Sequence, residues 1–345
     1  AATPANNIIN ALKCGNAIVV APSPKGVACC EVLIEHIYAE FAKFGEDPDL
    51  VQMIPAPGSK EKTQALMETC DMIVCTGSQN NVHRAQTAGT PAVAVGAGNV
   101  TVIVDETADL DAAAEKIRAS KCFDNATSCS SENAVVVVDA VRDDFLAALA
   151  RAGGAYVDDE SGIVAKLWPG GHLNRSVIAQ DADKMIAALD LDVPEGTDYI
   201  VVPTAGIGKE HPLSGEKLSR VLALYAARDF DEAVKVARDI QLYQGAGHSV
   251  GLHSTRDDRA RTLATAIPTS RVIVNQAHTF ATGGSFTNGM PFSLSMGCGT
   301  WGGNSVNENV NYRHFMQSTK IIREIPAREP ALEDIFADYW SVAGQ

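Results

Sequence analysis

The chain of 345 residues carries eight cysteines and eight histidines, and one of each stands where chemistry is possible. Cys129 lies in KCFDNATSCSSENAVVVVD (Lys121–Asp139), between Thr127, Ser128, Ser130 and Ser131 and just ahead of an apolar run. A nucleophilic thiol needs access and a local field that favours thiolate, and a small polar loop offers both. A plain turn cysteine is the other reading of the same context. The remaining cysteines sit mostly in apolar runs such as VACCEVLIEHI and CDMIVC, where Cys behaves as a small hydrophobe. His248 opens a strand-like run in GAGHSVGLHS (Gly245–Ser254). His248 and His253 are five apart without the Glu of HExxH, and no CxxC pair occurs, so no metal is expected. Both a catalytic and a structural role stay open for His248.

Two Gly-containing turns could hold an anion. In CTGSQNNV (Cys75–Val82), Thr76, Gly77 and Ser78 join a strand end to a helix start, where free N–H groups and the helix dipole favour a phosphate. An ordinary N-cap serine gives the same pattern. GAGN (Gly96–Asn99) follows another strand and reads equally as a plain turn; it is not a GxGxxG fingerprint. Glu216 and Lys217 fall in HPLSGEKLS (His211–Ser219), which on its own reads as solvated charge.

These residues need elements to position them. Over the first 120 residues, β-rich runs at 17–21, 51–54, 72–75, 92–95 and 101–104 alternate with helical stretches at 25–44, 59–68, 79–88 and 110–120. Such alternation predicts βαβ units and a parallel sheet covered by helices. A second α/β region follows, with strands at 134–141, 199–202, 221–225 and 271–275 and helices at 142–152 and 229–240. From Ala281 to Asn309 the chain is rich in Gly, Ser and Asn without periodicity, a length of loop that is usually functional.

Composition narrows the function classes. At about 150 residues per domain the length predicts two domains. Hydrophobic residues make up 46% and charged residues 20%, which excludes a disordered chain. The net charge of −14 argues against a general affinity for nucleic acid or anionic membrane. No apolar run approaches the roughly 18 residues of a membrane span. Cysteines outside any disulfide or zinc spacing point to a reduced, cytoplasmic setting.

Taken together and in order, NAIVVAPSPKG, CTGS, GTPAVAVGAGN, VDETADLDAA, FDNATSCSSENAVVVVD, EKLSRVLAL, YQGAGHSVGLHS, SRVIVNQ, GGSFTNG and GCGTWGGNSVNENV resemble the aldehyde dehydrogenase superfamily in its CoA-acylating branch. The resemblance is collinear and nearly end to end. The narrower likeness, on NQAHTFATGGSF and GMPFSLSMGCGTWGGNS, is to acylating enzymes of sulfoacetaldehyde and succinate semialdehyde. It implies an α/β, aldehyde dehydrogenase-like fold of two three-layer domains and an oligomerisation strand. Residues 1–120 would form the coenzyme domain, 121–305 the catalytic domain, and 306–345 a return segment with that strand. The apolar, β-prone stretch 318–325 is its candidate, in a homodimer or homotetramer.

The resemblance also implies roles. Cys129 becomes the nucleophile and His248 acts at the CoA or thioester step. Thr76, Gly77 and Ser78, with Gly96 and Gly98, take the pyrophosphate side, and Glu216 the nicotinamide ribose. Relatives that hydrolyse the thioester carry a glutamate where this chain reads Val95 and Gly96. Without it water is not activated, whereas a CoA thiolate needs no base. The partners implied are therefore a small-molecule aldehyde or acyl-CoA, coenzyme A, and NADP or NAD. Ser23 and Lys25 stand where NAD-selective relatives place a carboxylate, which favours NADP. Asn125, Arg271, His278, Thr279 and Ser285 are expected to line the substrate pocket, Arg271 and Arg220 as cations for an anionic headgroup. Succinate semialdehyde or acetaldehyde as substrate, an acyl-phosphate reductase, and an inactive structural subunit are the alternatives. Relatives carry a segment ahead of AATPANN that includes an oxyanion-hole Asn, so reduced activity and a partly bare core are expected for the chain as it stands.

Overall fold

In a computed structural model, residues 2–344 are described. They divide into a large unit running to Phe315 and a small one beginning at Met316. The large unit is built on a seven-stranded parallel sheet. Its order is Val272–Val274, Val250–His253, Val100–Val104, Glu132–Val138, Val221–Ala227, Tyr199–Pro203 and Gly154–Tyr156.

The central strands are near-continuous valine, alanine and leucine, as burial on both faces demands. Side chains alternate between faces along each strand. Ala134 and Val136 enter one core with Ile103, Val202, Ala223 and Leu252. Val135 and Val137 enter the other with Val102, Val104, Val201 and Leu224. Helices Leu110–Cys122 and Arg142–Arg151 cover the second face through Ile117, Phe145 and Leu149. Helices Glu160–Leu167, Ala182–Ala188, Phe230–Tyr243 and Asp257–Ala266 cover the first through Ile163, Met185, Ile240 and Leu263. Each such large apolar side chain contributes about 1.5–3 kcal/mol of burial.

Residues ahead of this sheet correct the expectation of a single parallel sheet. The first four strands do not join one sheet: Ile18–Val20 pairs with Val51–Met53, and Ile73–Thr76 pairs separately with Ala92–Val95. Each pair has its own small core, around Ile8, Cys30, Ile34 and Val51 in one case and Ile73, Val82, Ala85 and Ala94 in the other. The strand Val100–Val104, expected in the coenzyme domain, hydrogen-bonds to Glu132–Val138 at the middle of the large sheet. Sheet membership therefore changes before residue 100.

The small unit holds helix Leu332–Ala343. Over 318–325, the stretch expected to exchange as a strand between subunits, the backbone is irregular and Ile321, Ile322 and Ile325 are exposed. A strand exists only through ladder hydrogen bonds to a neighbour, and apolar pattern alone supplies none. Among the described residues no helix is long and apolar enough to cross a membrane, and no metal-ligating cluster occurs.

Candidate active site

In a parallel sheet all strands begin at one edge, and here the chemistry gathers at that edge. Gly98 precedes Val100–Val104, Cys129 precedes Glu132–Val138, Glu216 precedes Val221–Ala227, and His248 precedes Val250–His253. Residues far apart in sequence thereby become neighbours.

Nε2 of His248 lies 3.2 Å from Sγ of Cys129. The thiol is half-buried, and burial, with the Glu216 carboxyl and Cys298 nearby, pushes it up to about 12, while Arg271 pulls the other way. Burial and the Arg271 charge hold His248 down to about 3, so its imidazole is neutral. The two residues that the sequence left open are thus within hydrogen-bond distance of each other.

Glycine makes this approach possible. A Cβ on Gly98 would overlap the carbonyl oxygen of Cys129 and lie 2.9 Å from Cδ2 of His248. Gly247 adopts φ +84°, and a side chain there would run into the carbonyl of Cys298. Gly98 is therefore a packing surface for Cys129 and His248, and Gly247 for Cys298.

The loop 211–219 is not solvated charge. Lys217 is fully buried, and its ammonium donates to the carbonyls of Leu213 at 2.6 Å and Gly215 at 2.9 Å. Its backbone N–H donates to Oδ1 of Asn133, and that of Glu216 to Oε1 of Gln244. Burial raises the Glu216 carboxyl to about 7, against the pull of Lys121 and Lys217. Gln244, Asn133 and Lys217 are positioning residues that sequence reasoning missed. The alternation of charge with apolar residues in HPLSGEKLS gave no sign of which charges turn inward.

The Thr76–Ser78 turn suits a dinucleotide pyrophosphate. Ser78 caps helix Gln79–Thr87, its hydroxyl accepting from the Asn81 amide, so the turn sits at the positive end of that helix. Gly96 faces the same helix start, and a Cβ there would lie 2.6 Å from Nε2 of Gln79. Thr76 pairs with Ser295 at 2.7 Å, pinning the Gly-rich segment to this turn. Ser23 and Lys25 are exposed beyond the carboxyl end of Ile18–Val20, where α/β sheets receive nucleotides.

The five expected pocket residues all have hydrogen-bond partners within the chain. Arg271 is buried and spends its guanidinium on Asn309 Oδ1 and the carbonyls of His248, Gly297 and Asn307. Asn125 is tied to Arg220 and Asp181, and Arg220 also donates to the carbonyls of Asp198 and Cys122. His278 and Thr279 are buried at the start of the short helix His278–Thr282, Thr279 bonded to Ser120 and His278 to Ser249. Ser285 is partly exposed and pairs with Thr287. Polar residues such as Arg271, His278 and Thr279 look available in sequence, but burial leads each of them to an internal partner.

Comparison with known proteins decides the family. The aldehyde dehydrogenase family profile matches residues 1–159. The chain is 50% identical over its whole length to the acylating sulfoacetaldehyde dehydrogenase of Cupriavidus necator, covering 71% of that protein. The chain belongs to the aldehyde dehydrogenase family. Within the family it is also 37% identical, over 97% of its length and 74% of the relative's, to the acetylating succinate-semialdehyde dehydrogenase of Clostridium kluyveri. Among solved structures, the acetylating aldehyde dehydrogenase of Geobacillus thermoglucosidasius superposes with a TM-score of 0.88 at 28% identity, covering 94% of this chain and 73% of that one. The expected fold is thus the observed one, α/β and aldehyde dehydrogenase-like.

Proposed function

We propose that the chain is a CoA-acylating aldehyde dehydrogenase. It interconverts an aldehyde, CoA and NAD(P)+ with an acyl-CoA and NAD(P)H through a thioester on Cys129. The observation that carries this reading is the Cys129–His248 pair at 3.2 Å, held against Gly98. The sulfur attacks the aldehyde carbonyl and forms a thiohemiacetal, while the backbone N–H of Cys129 is the candidate donor to the oxyanion. A bound nicotinamide dinucleotide supplies the hydride acceptor that turns this adduct into the thioester. Thr76, Gly77, Ser78 and Gly96 would hold its pyrophosphate and Glu216 its ribose. Lys25, with no carboxylate beside Ser23, favours the 2′-phosphate of NADP.

Release of the acyl group goes to CoA. Val95 and Gly96 supply no carboxylate to activate water, while a CoA thiolate attacks unaided. His248 faces the sulfur that must leave, in the position a hydrogen-bond donor requires.

For the aldehyde we propose sulfoacetaldehyde, supported by the 50% identity to the Cupriavidus necator protein. Arg271 and Arg220 do not support it, because both are consumed by internal contacts. Succinate semialdehyde is the second reading, favoured by the Clostridium kluyveri relative. The exposed Ile321, Ile322 and Ile325 support a homodimer or homotetramer in which this stretch finds a strand partner. Eight unpaired cysteines support a reducing, cytoplasmic setting. A panel of sulfoacetyl-, succinyl- and acetyl-CoA with NADPH or NADH tests these readings by loss of nicotinamide absorbance. Fastest turnover with sulfoacetyl-CoA and NADPH is expected; no oxidation with any acyl-CoA contradicts the reaction class.

A further inference from the structure

Ser249 is fully buried, and its hydroxyl oxygen lies between two imidazoles, 2.7 Å from Nδ1 of His248 and 2.8 Å from Nε2 of His278. His248 continues the line, with Nε2 at 3.2 Å from Sγ of Cys129. A hydroxyl has one proton, so it donates to one ring and must accept from the other. With both rings neutral, only two proton arrangements make both bonds. In the first, His278 is protonated on Nδ1, Ser249 donates to Nε2 of His278, and His248 donates to Ser249 from Nδ1. His248 then turns a bare Nε2 to the sulfur. In the second, His278 donates to Ser249 from Nε2 and Ser249 donates to Nδ1 of His248. His248 then turns an N–H to the sulfur.

The far nitrogen of His278 chooses between them. Nδ1 of His278 is buried and has no hydrogen-bond partner. It faces the backbone of Gly251, so closely that a Cβ there would lie 3.0 Å away, with the Val102 methyls alongside. A buried N–H with no acceptor is rarer and less tolerated than an acceptor with no donor. The first arrangement puts a proton on that nitrogen; the second leaves it a lone pair against an apolar wall.

We propose that His278, acting through Ser249, sets the tautomer of His248 so that its Nε2–H donates a hydrogen bond to the sulfur of Cys129. His278 reaches Cys129 only through Ser249 and His248; it is a positioning residue. The proposal rests on Cys129 being the nucleophile. A donor aimed at sulfur stabilises thiolate, both as Cys129 prepares to attack and as either thiolate departs during acyl exchange with CoA. Burial keeps both rings neutral, which the two-state proton count requires. The other charged or titratable groups around the line are Arg271, His253, Glu132, Glu216 and Cys298. None of them takes a side-chain hydrogen bond from either ring, so the tautomer is left to Ser249.

The test compares His278→Leu, His278→Gln and Ser249→Ala in the full chain. The rate at which iodoacetamide alkylates Cys129 is followed by mass spectrometry across pH, without substrate or coenzyme. Leucine removes the donor, whereas the glutamine amide restores one near the Nε2 position. We expect alkylation below the titration midpoint to fall about 10-fold in His278→Leu and Ser249→Ala, an upward shift of about one pH unit. His278→Gln is expected to regain most of the wild-type rate. A wild-type profile in His278→Leu overturns the proposal, as does a His278→Gln profile as shifted as that of Ser249→Ala. Should His278→Leu fail to fold, the glutamine and alanine variants alone decide it. Alkylation needs no acyl-CoA, so a wild-type chain that alkylates normally but forms no thioester counts against the reaction and not against this line of hydrogen bonds.

Discussion

His248 and Cys129, 119 residues apart in sequence, meet at 3.2 Å because each precedes a strand of one parallel sheet, with a single strand between them. In most open α/β sheets the ligand crevice lies at the carboxyl ends of the strands. Here the amino ends converge on the reactive pair, and the carboxyl ends of the two small strand pairs offer the anion site.

Replacing Cys129 by alanine removes the thioester and with it all turnover above about one part in a thousand, while the half-buried site costs the fold about 1 kcal/mol or less. Steady-state rates beside a thermal melt check both halves. Retained activity with an intact melt would remove Cys129 from the mechanism.

Gly98→Ala is a geometric test. The new methyl would overlap the Cys129 carbonyl and press on the His248 ring, so either the loop or the imidazole must move. Overpacking of this kind costs about 1–3 kcal/mol. We expect kcat to fall by more than 10-fold with little change in KM for NADP(H), measured by initial rates. An unchanged kcat would mean the pair tolerates displacement.

Arg271→Ala should act on stability before chemistry. It strands Oδ1 of Asn309, the buried carbonyls of His248 and Gly297 and the partly exposed carbonyl of Asn307 at once, and breaking such a cluster costs about 3–5 kcal/mol. The urea midpoint reads this directly, and lysine is not expected to rescue it, because an ammonium lacks the planar fork. If the variant kept its stability but lost affinity for one acyl-CoA, Arg271 would return to the substrate pocket.

Acid stability separates two classes of buried group. Burial lowers His253 to about 4, so between that value and its usual 6.5 the unfolded chain binds a proton the native chain refuses. Its contribution is therefore lost as pH falls from about 6.5 to about 4, by an amount on the order of 3 kcal/mol. Glu132 and Glu216 act in the opposite sense: burial raises both to about 7, so between about 4.5 and 7 the native chain binds the extra protons and gains stability as pH falls. Denaturant unfolding of His253→Gln across this range should show a shallower acid loss than the parent. Parallel curves would contradict the buried-neutral assignment of His253.

How much of this was legible in the sequence depends on what each residue needed. Strands such as 92–95 and 199–203 announced themselves as valine-rich runs between turn residues, and helices such as 79–87 through their capping serine or aspartate. Cys129 was legible as the one cysteine in a polar loop. Sheet order was not: nothing in Val100–Val104 says that it pairs with Glu132–Val138 and not with Ala92–Val95 five residues earlier, because pairing is a long-range choice. Nor could burial of Lys217, Arg271 and His278 be read, since polarity alone points such residues outward. The serine after His248 was the one unread signal: a hydroxyl adjacent to an imidazole in a glycine-tight turn is placed to steer its tautomer.

Incubating the protein with an acyl-CoA and no reduced nicotinamide, then digesting it and weighing the peptides, tests the thioester most directly. The expected result is an acyl group on the peptide carrying Cys129, discharged by free CoA and absent from Cys129→Ala. An acyl group on Cys298 or on another cysteine, or none with any acyl-CoA, would contradict the central assignment.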